Sequence, residues 1–399
     1  MNPSAKILLQ AERNIRLYVI IKVFVKRVFL PLSAIYFVQV DHFTIRQIGL
    51  LAAFFAAVQL VAEVPTGFFA DKFARVTSIR IGAALNIIAT LLYALVHTKL
   101  AVFSGQFCEA LGYSFIAGAG EALIHDSLTV QSRADQYSKV LSRAQAVALV
   151  VNAGLIALVP MTYHINKSLP FLLGTLAYGV LLAVALRMAD VPHPKPEGQQ
   201  RTKVSWTKIF SQRHIIGFFV LFGLVGALYT GPSDMFNLAL KSFGLKPEYL
   251  GWLFAIASLV AAAFGPLIHL LRRLPILGYV ALDLAVLILE FAGAFTGSLA
   301  VLAVTTIISL GFWRYRKIIY QDHLLTMYPT RYKATLLSII NNVEQLNLLW
   351  IPILVATTVT NAGYAHGLGM IGLMAAIISP LYFFAVKRAF KVTNNISQA

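Results

Sequence analysis

The chain has 399 residues, 58% of them hydrophobic and only 12% charged, with a mean hydropathy of +0.75. A soluble domain carries about 25% charged residues, so this composition excludes an ordinary water-soluble fold and requires lipid as solvent. The net charge of +17 raises a nucleic-acid reading that the charge distribution removes below, and the single cysteine, Cys108, excludes an intramolecular disulfide and any Cys-based metal cluster.

A spanning helix needs about 20 mostly apolar residues. Twelve stretches meet that requirement: 14–40, 47–70, 78–97, 101–128, 138–162, 168–189, 214–237, 249–271, 275–295, 298–326, 334–359 and 363–387. They are too long and too uniformly apolar for transmembrane strands. The polar N-terminus and the charge-interrupted first run lead us to expect no cleavable signal peptide.

Span 1 carries Lys22, Lys26 and Arg27. In a continuous helix Lys22 and Lys26 share a face at i,i+4. After span 2 comes GFFADKFAR, residues 67–75. Gly67 is expected to let two helices approach closely. Asp71 is expected to face the positive N-terminal end of a neighbouring helix, with Lys72 and Arg75 as pairing partners. Span 4 carries Glu109, Glu121 and Asp126, with His125 at i,i+4 from Glu121.

The polar stretch DVPHPKPEGQQRTKVSWTKIFSQR reads as a linker. The expected organisation is an N-terminal six-helix bundle (1–190), a linker (191–213) and a C-terminal six-helix bundle (214–399). Sliding the second half onto the first puts Gly265 on Gly67 and Arg273 on Arg75, whereas His269 falls on Asp71. The halves therefore read as parallel repeats with a degenerate second loop.

Span 10 carries Arg314, Arg316 and Lys317, and span 11 carries Glu344. At 1.5 Å per residue both basic clusters lie roughly 10–18 Å into the membrane. In the repeat alignment Lys22, Lys26 and Arg27 fall on Val220, Leu224 and Val225, so the scaffold repeats and the charges do not. Pro31, Pro160, Pro232 and Pro352 mark expected kinks. Most remaining Lys and Arg fall in one set of loops, while the other set holds only Arg46, Lys99, Lys167, Lys241 and Lys246. This positive-inside bias predicts both termini in the cytoplasm and accounts for the basic excess without nucleic acid.

The loop motif, the twelve spans and the central linker together resemble the major facilitator superfamily, over essentially the full chain. The family loop reads Gly-x-x-x-Asp-(Arg/Lys)-x-Gly-Arg-(Arg/Lys). Gly67, Asp71, Lys72 and Arg75 match in register, and Ala74 and Val76 depart from it. EVPTG (63–67) and EALIHDSL (121–128) resemble a bacterial efflux or permease branch. The resemblance implies an all-α rocker-switch fold of two pseudo-symmetric six-helix bundles, in which spans 1, 4, 7 and 10 line a central cavity. It also implies coupling to protons through membrane carboxylates.

The expected function is a secondary active transporter, symporter or antiporter, working by alternating access in the bacterial cell (inner) membrane, as a monomer. Its cargo is expected to be a small anionic organic solute, phosphorylated or polycarboxylate, held by Lys22, Lys26, Arg27, Arg314, Arg316 and Lys317. Glu121 and Glu344 are the expected proton-coupling residues. The competing reading pairs these bases with intramembrane acids, of which Glu109, Glu121, Asp126, Asp234, Asp283, Glu290, Asp322 and Glu344 are candidates. That reading suits a proton-coupled multidrug or cation exporter. A receptor or lipid-modifying enzyme is the alternative of another class. No zinc spacing, HExxH, GxSxG, P-loop or GxGxxG supports an enzyme, a metal or a cofactor.

Overall fold

The computed structural model describes residues 3–192, 213–264, 271, 273–327 and 342–396, and among these all regular structure is helical. Eight of the described helical stretches are long and apolar enough to cross a membrane, and two shorter apolar helices, Leu30–Gln39 and Pro247–Ala262, accompany them. The helices that carry Lys22 and Arg316 fall outside the eight because their charges dilute the apolar run. The expected linker, 191–213, lies almost wholly outside the described residues.

Contacts group the chain into two units. The first is Met1–Phe43, Phe54–Gln200 and Pro247–Trp252; the second is Thr44–Ala53, Arg201–Lys246 and Leu253–Ala399. The first unit is built from α1 (Pro3–Phe24), α2 (Leu30–Gln39), most of α3 (Ile45–Lys72), α4 (Arg75–Leu95), α5 (Lys99–Ile116), α6 (Ala119–Val130), α7 (Tyr137–Leu158) and α8 (Leu169–Arg187).

Two spans of this unit are interrupted, span 1 just ahead of the marked Pro31 and span 4 where a continuous helix was expected. Span 1 unwinds over residues 25–29, between α1 and α2. Pro31 supplies no N–H to the carbonyl of Arg27, which accepts from Leu30 N at 3.1 Å in a tighter turn instead. Lys22 is thus helical and Lys26 is not, so the expected i,i+4 face does not form. Span 4 breaks at Ala117 (φ −59°, ψ 130°) and Gly118 (φ 77°, ψ −41°). Gly118 carries this break because a side chain at positive φ would clash with its own backbone.

The unit closes on small residues and rings. A Cβ at Gly82 of α4 would lie 2.5 Å from the Gly112 carbonyl of α5, so the two backbones touch directly. Tyr36 packs on Phe171 with ring centroids 4.4 Å apart, and Phe37 on Tyr93 at 5.1 Å. The Tyr36 hydroxyl donates to the Tyr93 carbonyl at 2.9 Å, which satisfies its buried polar end.

The loop joining α3 to α4 is Phe73–Ala74. Arg75 begins α4, and its Nη1 lies 2.8 Å from Asp126 Oδ2 on α6. Asp71 is 76% exposed and 3.9 Å from Arg75, so it does not take the expected place at a helix N-terminus. Asp190 takes it: its Oδ1 accepts the N–H of Val76 in the first turn of α4 at 2.9 Å. Arg80 reciprocates by donating to the carbonyls of Ala185 and Met188 at the end of α8, both at 3.0 Å. Lys72 covers the rings of Phe68 and Phe73 at 5.4 and 5.5 Å. A Cβ at Gly67 would meet nothing within 4 Å among the described residues, contrary to the expected close approach. At the same end Asn14 bridges Ser127 and the Ala189 carbonyl, at 3.2 and 2.7 Å. Glu12 receives Gln131, Arg16 and Arg133, and these donors, Gln131 foremost, hold its carboxyl below the usual range.

The second unit contains α9 (Arg213–Thr230), α10 (Ser233–Ser242), most of α11 (Leu250–Phe264), α12 (Ile276–Phe295), α13 (Leu299–Met327) and α14 (Ile351–Ile396), the last interrupted at Gly363 (φ 78°, ψ 172°). Residues 342–347 form a further helical segment, separated from α14 by a turn over 348–350. The four prolines singled out in the sequence all sit at interruptions. Pro31 and Pro352 open α2 and α14, Pro232 caps α10, and Pro160 starts the 3₁₀ turn Pro160–His164.

These contacts predict opposite effects for two glycines. Gly118→Ala should cost about 1–2 kcal/mol from backbone strain, whereas Gly67→Ala should be neutral or gain up to about 1 kcal/mol from helix propensity. Thermal unfolding of the detergent-purified variants checks the pair: a larger loss for Gly67→Ala would reverse the assignment.

Candidate functional site

In the first unit the two helix interruptions meet around a cavity of about 210 Å³. Its lining includes Tyr18, Lys22, Tyr113, Gly118, Gly120 and Glu121. Lys22 lies in the last turn of α1 and Glu121 in the first turn of α6. Each charge therefore faces the helix end of opposite sign, which stabilises it. Lys22 Nζ is 2.8 Å from Glu121 Oε1, and the two side chains are 23% and 48% exposed. The ammonium also sits 5.5 Å from the centroid of the Tyr18 ring. An ion pair this open to water can exchange partners without leaving a charge in apolar surroundings.

Arg27 is in a different setting, though only five positions on. Its Nη1 is 3.3 Å from Oε1 of Glu109, a side chain 3% exposed. Glu109 also accepts from the Tyr93 hydroxyl at 2.9 Å, and the guanidinium lies 4.8 Å from the Phe55 ring centroid. Here the carboxylate is satisfied by a cation and a hydroxyl, the condition for keeping a charge pair inside an apolar core. Lys26 is exposed in the unwound stretch. His125 stands 3.8 Å from Asp126 and edge-on to Tyr137, so its described contacts are not with Glu121.

In the second unit Arg316 on α13 and Asp283 on α12 form a fully buried pair, 1% and 0% exposed. Arg316 Nε lies 3.0 Å from Asp283 Oδ1 and 2.9 Å from Oδ2. Tyr320 donates to Oδ2 at 2.9 Å, and Tyr229 donates to the Asp283 carbonyl at 2.6 Å. Phe222, Tyr320, Trp313 and Tyr229 surround the guanidinium at 4.3–5.7 Å. Such rings supply cation–π attraction where water is absent. A Cβ at Gly226 would lie 3.3 Å from both Arg316 Nη1 and Glu344 Oε2, so Glu344 borders this cluster. Arg314 turns to α11, donating to Ser258 Oγ at 2.9 Å, and its neighbour Tyr315 donates to the Ala261 carbonyl. The side chains of Lys317 and Asp322 lie outside the described residues.

The six bases are thus not one set. Arg27 and Arg316 are neutralised inside the protein, while Lys22 and Arg314 face a cavity and a hydroxyl. The sequence carried Glu109 and Asp283 as candidate acids without assigning partners. Asp190, which no reading singled out, was detectable as the first carboxylate after span 6.

Three comparisons bear on the arrangement. The sequence profile of the Major Facilitator Superfamily matches residues 17–352. An uncharacterised MFS-type transporter, YxaM, from Bacillus subtilis (strain 168) is 24% identical over 247 residues, 59% of this chain and 60% of that protein. Multidrug resistance protein 1 of the same organism is 23% identical over 183 residues, 45% of this chain and 46% of that one. The alignments therefore span about half the length of these relatives. Among solved structures, the nucleoside transporter NupG superposes with a TM-score of 0.80 at 15% identity, over 97% of this chain and 100% of that one. A POT family transporter in complex with 5-aminolevulinic acid gives 0.68 at 13% identity, over 95% and 96%.

The contrast between the pairs is measurable. Arg316→Gln or Asp283→Asn should each cost about 3–5 kcal/mol, because either leaves a buried charge alone. The double variant should cost less than the sum. Lys22→Gln should cost under about 1 kcal/mol, since water screens that pair. Thermal or denaturant unfolding in detergent reads all four, and equal losses would contradict the distinction.

Proposed function

The chain belongs to the Major Facilitator Superfamily, a family of multi-pass membrane transporters, and from that premise we propose that it is a proton-coupled secondary transporter of a small anionic organic solute. It works by alternating access in the bacterial inner membrane, with both termini cytoplasmic. The observation that carries the cargo reading is the Lys22–Glu121 pair on the cavity wall. The cavity's volume suits the charged head of a small solute, a carboxylate or a phosphate. An arriving anion competes with Glu121 for Lys22. The displaced carboxylate is left beside the bound anion, a like charge, and takes up a proton. Solute and proton are bound together by this exchange, which is the coupling. Arg27 and Arg316, each held by a buried acid, act as framework.

Two observations support a second reading, proton-coupled export of cationic drugs. Glu121 is the more exposed partner of the pair, and one relative bears the name multidrug resistance protein 1. NupG and the POT transporters share this fold at identities too low for their cargoes to transfer.

The deciding measurement is thermal stabilisation of the purified protein by size-matched phosphate esters, polycarboxylates and organic cations at about pH 6 and about pH 8. A solute at one hundred times its Kd should add about 2.7 kcal/mol. We expect the anions to stabilise the wild type and Lys22→Gln to abolish the effect. Stabilisation by cations alone, lost in Glu121→Gln and kept in Lys22→Gln, would replace the anion reading with drug export.

A further inference from the structure

Among the described residues, Glu290 is a buried carboxyl that no ion pair takes up. It lies two turns beyond Asp283 on α12 and is 4% exposed. Two helical turns bring both residues to the same face. The antiparallel neighbour α13 answers Asp283 with Arg316 and, two turns earlier in its own sequence, answers Glu290 with Ser309. The helices are therefore joined by two rungs of the same spacing, one an ion pair and the other a carboxyl hydrogen-bonded to a hydroxyl.

The neighbours explain what form of Glu290 this site accepts. On α13 the nearest polar groups are the hydroxyls of Ser309 and Thr306. Of the bases on that helix, Arg316 is engaged by Asp283 and Arg314 by Ser258. On α9 the facing titratable group is Tyr229, whose hydroxyl is committed to the Asp283 carbonyl. On α14, Tyr382 lies at the Asp283 rung and His366 against the ring of Phe295. Helix α10 meets α12 through Phe236 on Phe291 and carries Asp234 and Lys241. Among the described residues no base lies within ion-pairing distance of Glu290. An ionised carboxylate in this position would be a buried charge without a partner, which is strongly unfavourable. A protonated carboxyl is neutral and can both donate to and accept from the Ser309 hydroxyl.

We propose that Glu290 is a proton-binding site of the second unit, separate from Glu121 and Glu344, which holds its proton while the α12–α13 contact is closed and releases it when that contact admits water. The inference rests on the proton-coupled reading for its purpose in transport, but its chemistry can be read without any solute.

Infrared difference spectroscopy of the whole purified protein between about pH 6 and about pH 9 tests it. The protonated carboxyl C=O band should lose a component as pH rises, and Glu290→Gln should lack that component. Ser309→Ala keeps the carboxyl but removes its hydroxyl partner, so it should shift the same band. This second variant serves if Glu290→Gln does not fold. A Glu290 band constant over the whole range would make the group a fixed structural hydrogen bond and overturn the proposal. So would absence of the band at the acid end, or indifference to Ser309→Ala. If the band titrates and no proton gradient drives uptake in vesicles, the transport reading fails and the proton site stands. The opposite result separates them the other way.

Discussion

A charge can enter a low-dielectric interior only in company. That constraint organises both halves of this chain. Arg27 is held by Glu109 and a tyrosine hydroxyl, Arg316 by Asp283 with two tyrosines and a cage of rings, and Arg75 by Asp126. Each pair joins segments distant in sequence, so each is also a tie between helices. Breaking a tie costs more than making it contributes, because the survivor is left as a lone buried charge. Buried pairs of this kind hold helices in register as much as they add stability. The Lys22–Glu121 pair obeys the same electrostatics under different conditions. Exposure to water and favourable helix ends make its two members separable.

The interruptions in the helices set where these conditions differ. Lys22 and Arg27 are close in sequence and equally exposed, but the unwound stretch between α1 and α2 gives one a half-exposed acid on the cavity wall and the other a buried acid. Discontinuous helices are where membrane transporters commonly build binding sites, since a broken helix offers both charged ends and free backbone groups. The break between α5 and α6 serves the same cavity from the opposite wall.

Much of this fold was legible in the residues. Hydropathy marked the spans, and the loop motif with the repeat pattern marked the family. Pro31, Pro160, Pro232 and Pro352 each marked a real interruption, because a missing N–H has a local consequence. Pro65 and Pro380 sit inside helical runs that continue past them, so a proline alone does not decide the matter. Gly118 went unmarked, since a glycine in an apolar run reads as packing until its φ is known. The pairing of charges was less legible than their presence. Glu109 and Glu121 lie on one span with similar surroundings in sequence, yet one is sealed against Arg27 and the other open with Lys22. Which acid meets which base depends on helix rotation, and rotation is a tertiary property. The loop motif illustrates the same limit: Asp71 matched the pattern, but Asp190 caps α4, because the cap must come from whichever chain end passes the helix terminus.

The two unwound stretches beside the cavity have a consequence for how such a protein changes over generations. Amide and carbonyl groups released from a helix are the same whatever side chains surround them. In a transporter of this family, a solute held partly by such peptide groups would keep a baseline affinity when a lining side chain mutates. Selectivity can then drift through single substitutions at positions such as Tyr18 or Tyr113 while the capacity to bind persists. A lineage built on this architecture can try new cargoes without first passing through a variant that binds nothing.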